Sequence, residues 1–241
     1  MIEPLLPPPY RAVRLPGDRS AAAVAREAAA AGVEEGTFFW SDRPDRLDAA
    51  LALEPDGIRR DTLPVIYVAG LAFATALGAF AQPPTPISFR WPRGIVIDGG
   101  LAGDLSLDCA PSAADAVPAW AVLGMRLVVA ASAEEPGRAP YHTSVAEEDF
   151  EGFSVVAQIE GFCRHFLAGL ERWEAEGLAP IAAEWWRRAA GLVIEPRLVL
   201  PDAVPGVPLG LDSAGNLRVL QGDRERVLRL ESALADPAVH A

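Results

Sequence analysis

Ser88-Phe-Arg-Trp-Pro-Arg-Gly-Ile-Val-Ile-Asp-Gly-Gly-Leu-Ala-Gly103 is the stretch on which the fold turns. Ile87 to Arg90 reads as a short strand. Ile95 to Ile97 reads as a second one, facing Leu101 to Leu107 across Asp98-Gly99-Gly100, a hairpin turn that needs positive φ. Arg90 and Arg93 flank Trp91-Pro92 at strand-end spacing, so both are candidates to face a pocket. All 21 cationic side chains in the chain are Arg and none is Lys. Lysine can lose its proton and attack, whereas arginine stays charged and clamps anions through its planar fork. Chemistry that needs a lysine of this chain is excluded.

Outward from that stretch, helical and strand patterns alternate. The proline-rich start (Pro4, Pro7, Pro8, Pro9) reads as an arm or edge segment, and an Ala-rich helix follows from about Ser20 to Ala31 with Gly32 as its stop. Gly36 to Trp40 and Leu47 to Leu53 read as strands joined by the polar turn Ser41 to Arg46. The apolar run of residues 62 to 80 reads as one buried helix with Asp61 as its N-cap and Pro64 near its start. It approaches membrane-spanning length, but its Ala and Gly content fits the core of an α/β protein better.

Ala119 to Val129 predicts a central strand, and Ser132 to Tyr141 a loop. Ser154 predicts the cap of a helix whose buried stripe is Ile159, Phe162, Cys163, Phe166, Leu170 and Trp173. Gly177 ends it, and Pro180 opens a last helix closed by Gly191. From Leu192 the pattern changes to short β-like runs: Val193 to Leu200, Val207 to Leu211, Asn216 to Gln221 and Glu225 to Leu230. The expected division is therefore a large α/β domain over 1–191 and a small β domain over 192–241.

The chain has 241 residues, 51% of them hydrophobic and 22% charged, which is the composition of a folded globular protein. A net charge of −12 argues against nucleic acid, whose phosphates demand basic surface. Cys109 and Cys163 give neither a disulfide framework nor a zinc motif, so a cytoplasmic setting is expected. The start of the chain lacks the basic and continuous apolar regions of a signal peptide.

Phe89-Arg-Trp-Pro-Arg-Gly94 followed by Asp98-Gly-Gly-Leu-Ala-Gly103 resembles the biotin/lipoate protein ligase superfamily, whose biotin ligases carry K-W-P-N-D and then a G-R-K-x-A-G-I turn. The resemblance covers nearly the whole chain. Glu35-Gly-Thr37, the long apolar helix, Ala121-Val-Leu-Gly124, His142-Thr-Ser-Val145 and the Trp173 and Trp185 helices follow the family order. Pro208 to Leu217 is similar to the SH3-like C-terminal domain of biotin ligases. The resemblance implies a mixed sheet packed with helices, α/β in class, and a protein that binds a biotin-, lipoyl- or octanoyl-type acyl group for transfer to a biotinyl or lipoyl carrier domain.

The departures from the family are chemical. Its first motif lysine is Arg90, which keeps the charge and the ability to grip a carboxylate or phosphate, and is the candidate catalytic residue. The second lysine corresponds to Gly100, which has no side chain. Losing one preorganised transition-state donor commonly costs roughly a hundred- to a thousandfold in rate. The glycine-rich phosphate loop shrinks to Ser41–Arg46 with Arg43 and Arg46 as its cations, and Arg93-Gly94 replaces Asn-Asp. Arg43, Arg46 and Arg93 are thus the candidate phosphate contacts. Ser20, Trp91, Pro92, Gly100, Ala102, Gly103 and Gly124 are the candidate substrate contacts.

Polar ligands for ATP and its magnesium are missing at several places, and no metal site is expected. The resemblance implies an acyl pocket more strongly than adenylation, and a homodimer is compatible with it. Against these readings stand ordinary ones: an arginine at a strand end as a solvated ion pair, Cys109 as an inert buried thiol, His142 as a capping or surface residue. A non-catalytic acyl- or adenylate-binding regulatory module, or an assembly protein with a closed pocket, remain the alternatives to an acyl-transferring enzyme.

Overall fold

Residues 3–17, 19–130, 142–148, 150–189 and 206–236 are described by the computed structural model. The loop Ser132–Tyr141, the cap Gly191 and the strand Val193–Leu200 lie outside the described residues.

Continuous apolar runs such as Thr37–Ser41, buried at every position, can only sit inside a sheet covered on both faces. That sheet has the order β1-β2-β3-β7-β6-β5-β4, with β1 (Arg11–Leu15), β2 (Thr37–Ser41), β3 (Arg46–Leu53), β4 (Ile87–Arg90), β5 (Gly94–Ile97), β6 (Gly100–Cys109) and β7 (Ala121–Val128). β1 and β2 are parallel, joined by α1 (Ala21–Ala30) as the crossover helix; the other neighbours are antiparallel. β1 falls where an arm or edge segment was expected, and it is an edge strand of the sheet. It pairs on one side only, and four of its five residues are exposed, so it carries little apolar pattern to read.

The β5–β6 hairpin is as the sequence predicts. Asp98 (φ +43) and Gly99 (φ +85) supply the left-handed pair that a two-residue turn with matching twist requires. The run over 62–80 divides into α2 (Arg59–Thr62) and α3 (Val65–Gly78), because Pro64 has no N–H with which to continue the helical ladder. Asp61 therefore lies inside α2 and not at a cap.

Twelve of the fourteen residues of α3 are buried. Arg59–Gly78 is long and apolar enough to cross a membrane, yet it is largely buried within the protein. α4 (Val155–Glu176) lies along α3, its N-cap Ser154 accepting a hydrogen bond from the Ala157 N–H, and Gly177 (φ +78) ends it. α5 (Leu178–Arg187) holds Pro180 in its first turn.

Strand alternation separates two cores. Phe38, Trp40, Leu47, Leu51, Leu105 and Leu123 face α3 and α4 in the larger one, while Phe39, Ala50 and Val122 meet Ala21 and Ala25 of α1 in the smaller. A second, three-stranded antiparallel sheet, β8 (Val207–Leu211), β9 (Leu217–Gln221) and β10 (Arg224–Leu228), is followed by α6 (Leu230–Ala235). The strand expected over 225–230 stops at Leu228, and Asn216 Oδ1 accepts the Leu230 N–H at the start of α6.

Candidate functional site

One register row crosses the sheet on the face that carries α1. Arg90 of β4 pairs with Gly94, Gly94 with Asp104, Asp104 with Arg126, and Arg126 with Asp48 of β3. Because paired residues share a face, four strand steps of about 4.8 Å give a span of about 19 Å from Arg90 to Asp48. One step past the last β2–β3 pair, Trp40 with Ala49, Ser41 of β2 stands opposite Asp48.

At the β4 end, Arg90 is half-buried, and among the described residues its side chain has no hydrogen bond or ion pair. Arg93 is engaged: Nη1 donates to Asp104 Oδ2 at 3.0 Å and to the Leu105 carbonyl at 3.1 Å. Arg126 closes a two-point contact with the same carboxylate at 3.1 Å through Nε and Nη2. Burial pulls the Arg93 guanidinium below its usual value, opposed by Asp104, whereas the hydrogen bonds that Arg126 donates to Asp104 raise its own. Asp104 therefore holds two cations, and the Arg126 side chain remains 66% exposed along the floor of the row.

At the other end lies the N-terminus of α1. Ser20 caps it, accepting from the Ala23 N–H, and Asp48 accepts from the Ala21 N–H at 3.3 Å. Burial pushes the Asp48 carboxyl up, against the Ala21 hydrogen bond and the fields of Arg126, Arg46 and Arg43. Gly124 belongs here too: a Cβ on it would collide with Ser106 Oγ and lie 3.2 Å from the Ala22 Cβ. Arg43 and Arg46 are both held by Asp45, and Arg43 also donates to the Gly17 carbonyl at 2.9 Å.

The guanidinium groups hold the Asp45 carboxyl down at about 2. A carboxyl depressed in the folded state adds stability above its unfolded value near 3.8 and loses it as pH falls through 2. The stability gap between the wild type and Asp45→Asn is accordingly expected to be constant above pH 5 and to close between pH 4 and 2. Thermal unfolding across that range measures it, and a gap that persists at pH 2 counts against the assignment.

The remaining sequence candidates lie elsewhere. Trp91 and Ala102 are buried in the α3 core, and Pro92 is also buried. The Trp91 indole N–H donates to Tyr67 Oη at 2.9 Å, and Tyr67 donates onward to the Gly215 carbonyl at 2.5 Å. Alternation from Asp104 turns Gly103 to the α3 face, where a Cβ would overlap the Arg126 carbonyl oxygen and come within 3.0 Å of the Leu127 Cα. Gly103 thus permits close approach of the next strand. At Gly100 the space over the turn is taken by Thr143, whose Cβ would be 2.8 Å from an added Cβ and whose N–H donates to Leu101. Cys109 is half-buried with its thiol pushed up by burial, and Cys163 is fully buried with its thiol pushed up to about 12.

Ser41, Asp48, Asp104 and Arg126 were not among the sequence candidates. The available signal was a charge breaking an apolar strand, as in Leu47-Asp48-Ala49 and Met125-Arg126-Leu127.

Comparison with known proteins bears on the whole arrangement. Residues 6–187 match the biotin/lipoate A/B protein ligase family. The biotin–[acetyl-CoA-carboxylase] ligase of Paracoccus denitrificans is 29% identical over 195 residues, 78% of each chain. A biotin protein ligase-like protein of unknown function from Silicibacter sp. TM1040 superposes with a TM-score of 0.87 at 24% identity, covering 97% of this chain and 100% of that one. The biotin protein ligase of Aquifex aeolicus superposes at 0.73 with 15% identity, covering 90% and 95%. The sheet with its α1 and α3 layers is the fold of those ligases, and with the family match covering most of its length the chain belongs to the biotin/lipoate A/B protein ligase family.

Proposed function

We propose that the protein is a cytoplasmic acyl-binding member of its family that holds a biotin-, lipoyl- or octanoyl-type acid on the α1 face of its sheet. It passes the acyl group to a carrier-domain lysine from a donor that arrives already activated. The acyl-binding domain is residues 1–191, with residues 192–241 as the small β domain. The observation that carries this reading is the row from Arg90 to Asp48: at one end stands a guanidinium with no partner among the described residues, positioned to grip a carboxylate or acyl phosphate. The Paracoccus relative, a biotin–[acetyl-CoA-carboxylase] ligase by name, supports the acyl and carrier classes.

Support for a preactivated donor comes from the cations. Arg43 and Arg46 share Asp45, Arg93 and Arg126 share Asp104, and the turn position that bears a lysine in biotin ligases is Gly100 under Thr143. Little positive charge is left to neutralise a triphosphate. In the transfer step the carrier lysine Nζ attacks the acyl carbonyl of an acyl-adenylate, an amide forms, and AMP and a proton leave. Arg90 binds the phosphate that departs.

Intact mass of a biotinyl or lipoyl carrier domain after incubation with biotinyl-, lipoyl- or octanoyl-AMP tests this. One acyl mass should be added faster than without the protein, and free acid plus ATP should add none. The engaged cations also favour a second reading, a regulatory module that binds the acyl-adenylate without turnover. Binding with no mass added on any carrier would replace the first reading with that one.

A further inference from the structure

Charge is spread unevenly along the row. Near β3 two arginines, Arg43 and Arg46, meet two carboxyls, Asp45 and Asp48, and the charges balance. From β4 to β7 they do not. Arg90, Arg93 and Arg126 stand around a single carboxylate, Asp104, a local excess of two positive charges in a chain whose net charge is −12. Asp108 and Asp236 act on Arg93 only through space, and Asp108 is paired with Arg26 at 2.8 Å. The Arg93 side chain is 10% exposed, and among the described residues its Nε has no hydrogen bond. A buried cation served by a shared carboxylate is costly, and burial pulls this guanidinium below its usual value. Arg126 spends Nε and Nη2 on Asp104, which leaves its Nη1 edge without a partner among the described residues. The floor between Arg90 and Arg126 is open at Gly94, where a Cβ would stand 3.0 Å from the Arg90 Cβ and 3.1 Å from Leu101 Cδ1. The two backbones are three strand steps, about 14 Å, apart, a gap that two arginine side chains can close on one anion.

We infer that Arg90, Arg93 and Arg126 form a site for a phosphate in its dianionic form, one bearing a single substituent, and that the activated donor is accordingly an acyl phosphate. The inference rests on the acyl-transfer reading and names the donor class within it. A singly substituted phosphate carries roughly −1.5 to −2 charge at pH 7, which matches the local excess. The doubly substituted phosphate of an adenylate carries a single negative charge and leaves one guanidinium uncompensated. Arg126, the exposed cation held in place by Asp104, sets the preference through its unused edge. In the transfer step the carrier lysine Nζ, as the free amine, attacks the acyl carbonyl. The C–N bond forms, the bond from the acyl carbon to the phosphate oxygen breaks, inorganic phosphate leaves with the bonding pair, and the proton from nitrogen goes to solvent.

Calorimetry on the full chain with inorganic phosphate and with dimethyl phosphate, at pH 8 and fixed ionic strength, reads the site without any acyl group. The wild type should bind inorganic phosphate roughly 10- to 100-fold more tightly than dimethyl phosphate. Arg126→Gln, at a side chain exposed enough to spare the fold, should weaken inorganic phosphate about tenfold and remove most of that preference, and Arg126→Lys should restore part of it. Equal binding of the two anions by the wild type, or Arg126→Gln keeping the preference, overturns the inference and leaves acyl transfer standing. Intact mass of a lipoyl carrier domain then compares donors. Octanoyl phosphate should acylate it about tenfold faster than octanoyl-AMP, and octanoyl-AMP as the faster donor overturns the donor assignment. Preferential phosphate binding with no acyl added from either donor upholds the dianion site, and removes the transfer reading together with the donor assignment.

Discussion

Gly103→Ala is expected to destabilise the protein by about 3 kcal/mol or more, at the upper end of overpacking effects, although it adds a single methyl group. The methyl would be driven into backbone. Its position overlaps the carbonyl oxygen of Arg126 and lies 3.0 Å from the Leu127 Cα, both on β7. A flexible side chain could swing aside, but these atoms belong to a strand hydrogen-bonded on both edges, to β6 and to β3. Relief would require sliding β6 against β7, which would also pull Asp104 from Arg126 and disturb the row on the α1 face. For a chain of this size roughly 2–4 °C is lost per kcal/mol, so the midpoint of thermal unfolding should fall by about 10 °C. Gly99→Ala, at a turn with open space around it, strains only φ and serves as the control. A midpoint within 2 °C of wild type for Gly103→Ala would show that the sheet gives way there.

The hairpin that holds Gly103 was legible in the sequence because its determinants are local. Asp98 and Gly99 adopt the positive φ that the turn chemistry demands, and Ser20, Ser154 and Gly177 punctuate helices for equally local reasons. Elements fixed by tertiary partners were not legible. β1 is a strand because β2 offers it a parallel edge, and α6 begins where Asn216, fourteen residues earlier, accepts its first N–H.

The site divides along the same line. Ser20, Arg90, Arg93 and Gly124 could be named from motif position, and they share the α1 face. The motif residues Trp91, Ala102 and Gly103 turn to the other face, since strand alternation and the irregularity between Ile95 and Val96 decide which way each side chain points. Asp48, Arg126 and Asp104 come from three strands far apart in the chain. Register alone aligns them, and register is a property of the folded sheet.

Trp91 is tied to the small C-terminal sheet by a single phenol, and Tyr67→Phe should show how much that tie contributes. Tyr67 is fully buried in α3, accepts the Trp91 indole N–H at 2.9 Å and donates to the Gly215 carbonyl at 2.5 Å, in the turn between β8 and β9. Burial pushes its hydroxyl far above the ordinary phenol value, so it stays a neutral donor at any working pH. Its ring meets Trp185 edge-on with centroids 5.0 Å apart, and Trp185 in turn stacks on Phe89 of the Arg90 strand at 5.2 Å. Phenylalanine keeps those ring contacts and removes only the oxygen, leaving one donor and one acceptor unpaired in a dry interior. At about 1–3 kcal/mol for each of the two orphaned groups, the loss should be about 2–6 kcal/mol. Because Gly215 holds its turn against Tyr67, Leu230 and Pro64, amide hydrogen exchange should quicken over residues 206–221, and over 87–97 where the indole partner lies. Exchange confined to the C-terminal sheet would mean that Trp91 is held by packing alone, whereas a stability change below 1 kcal/mol would mean that water replaces the phenol.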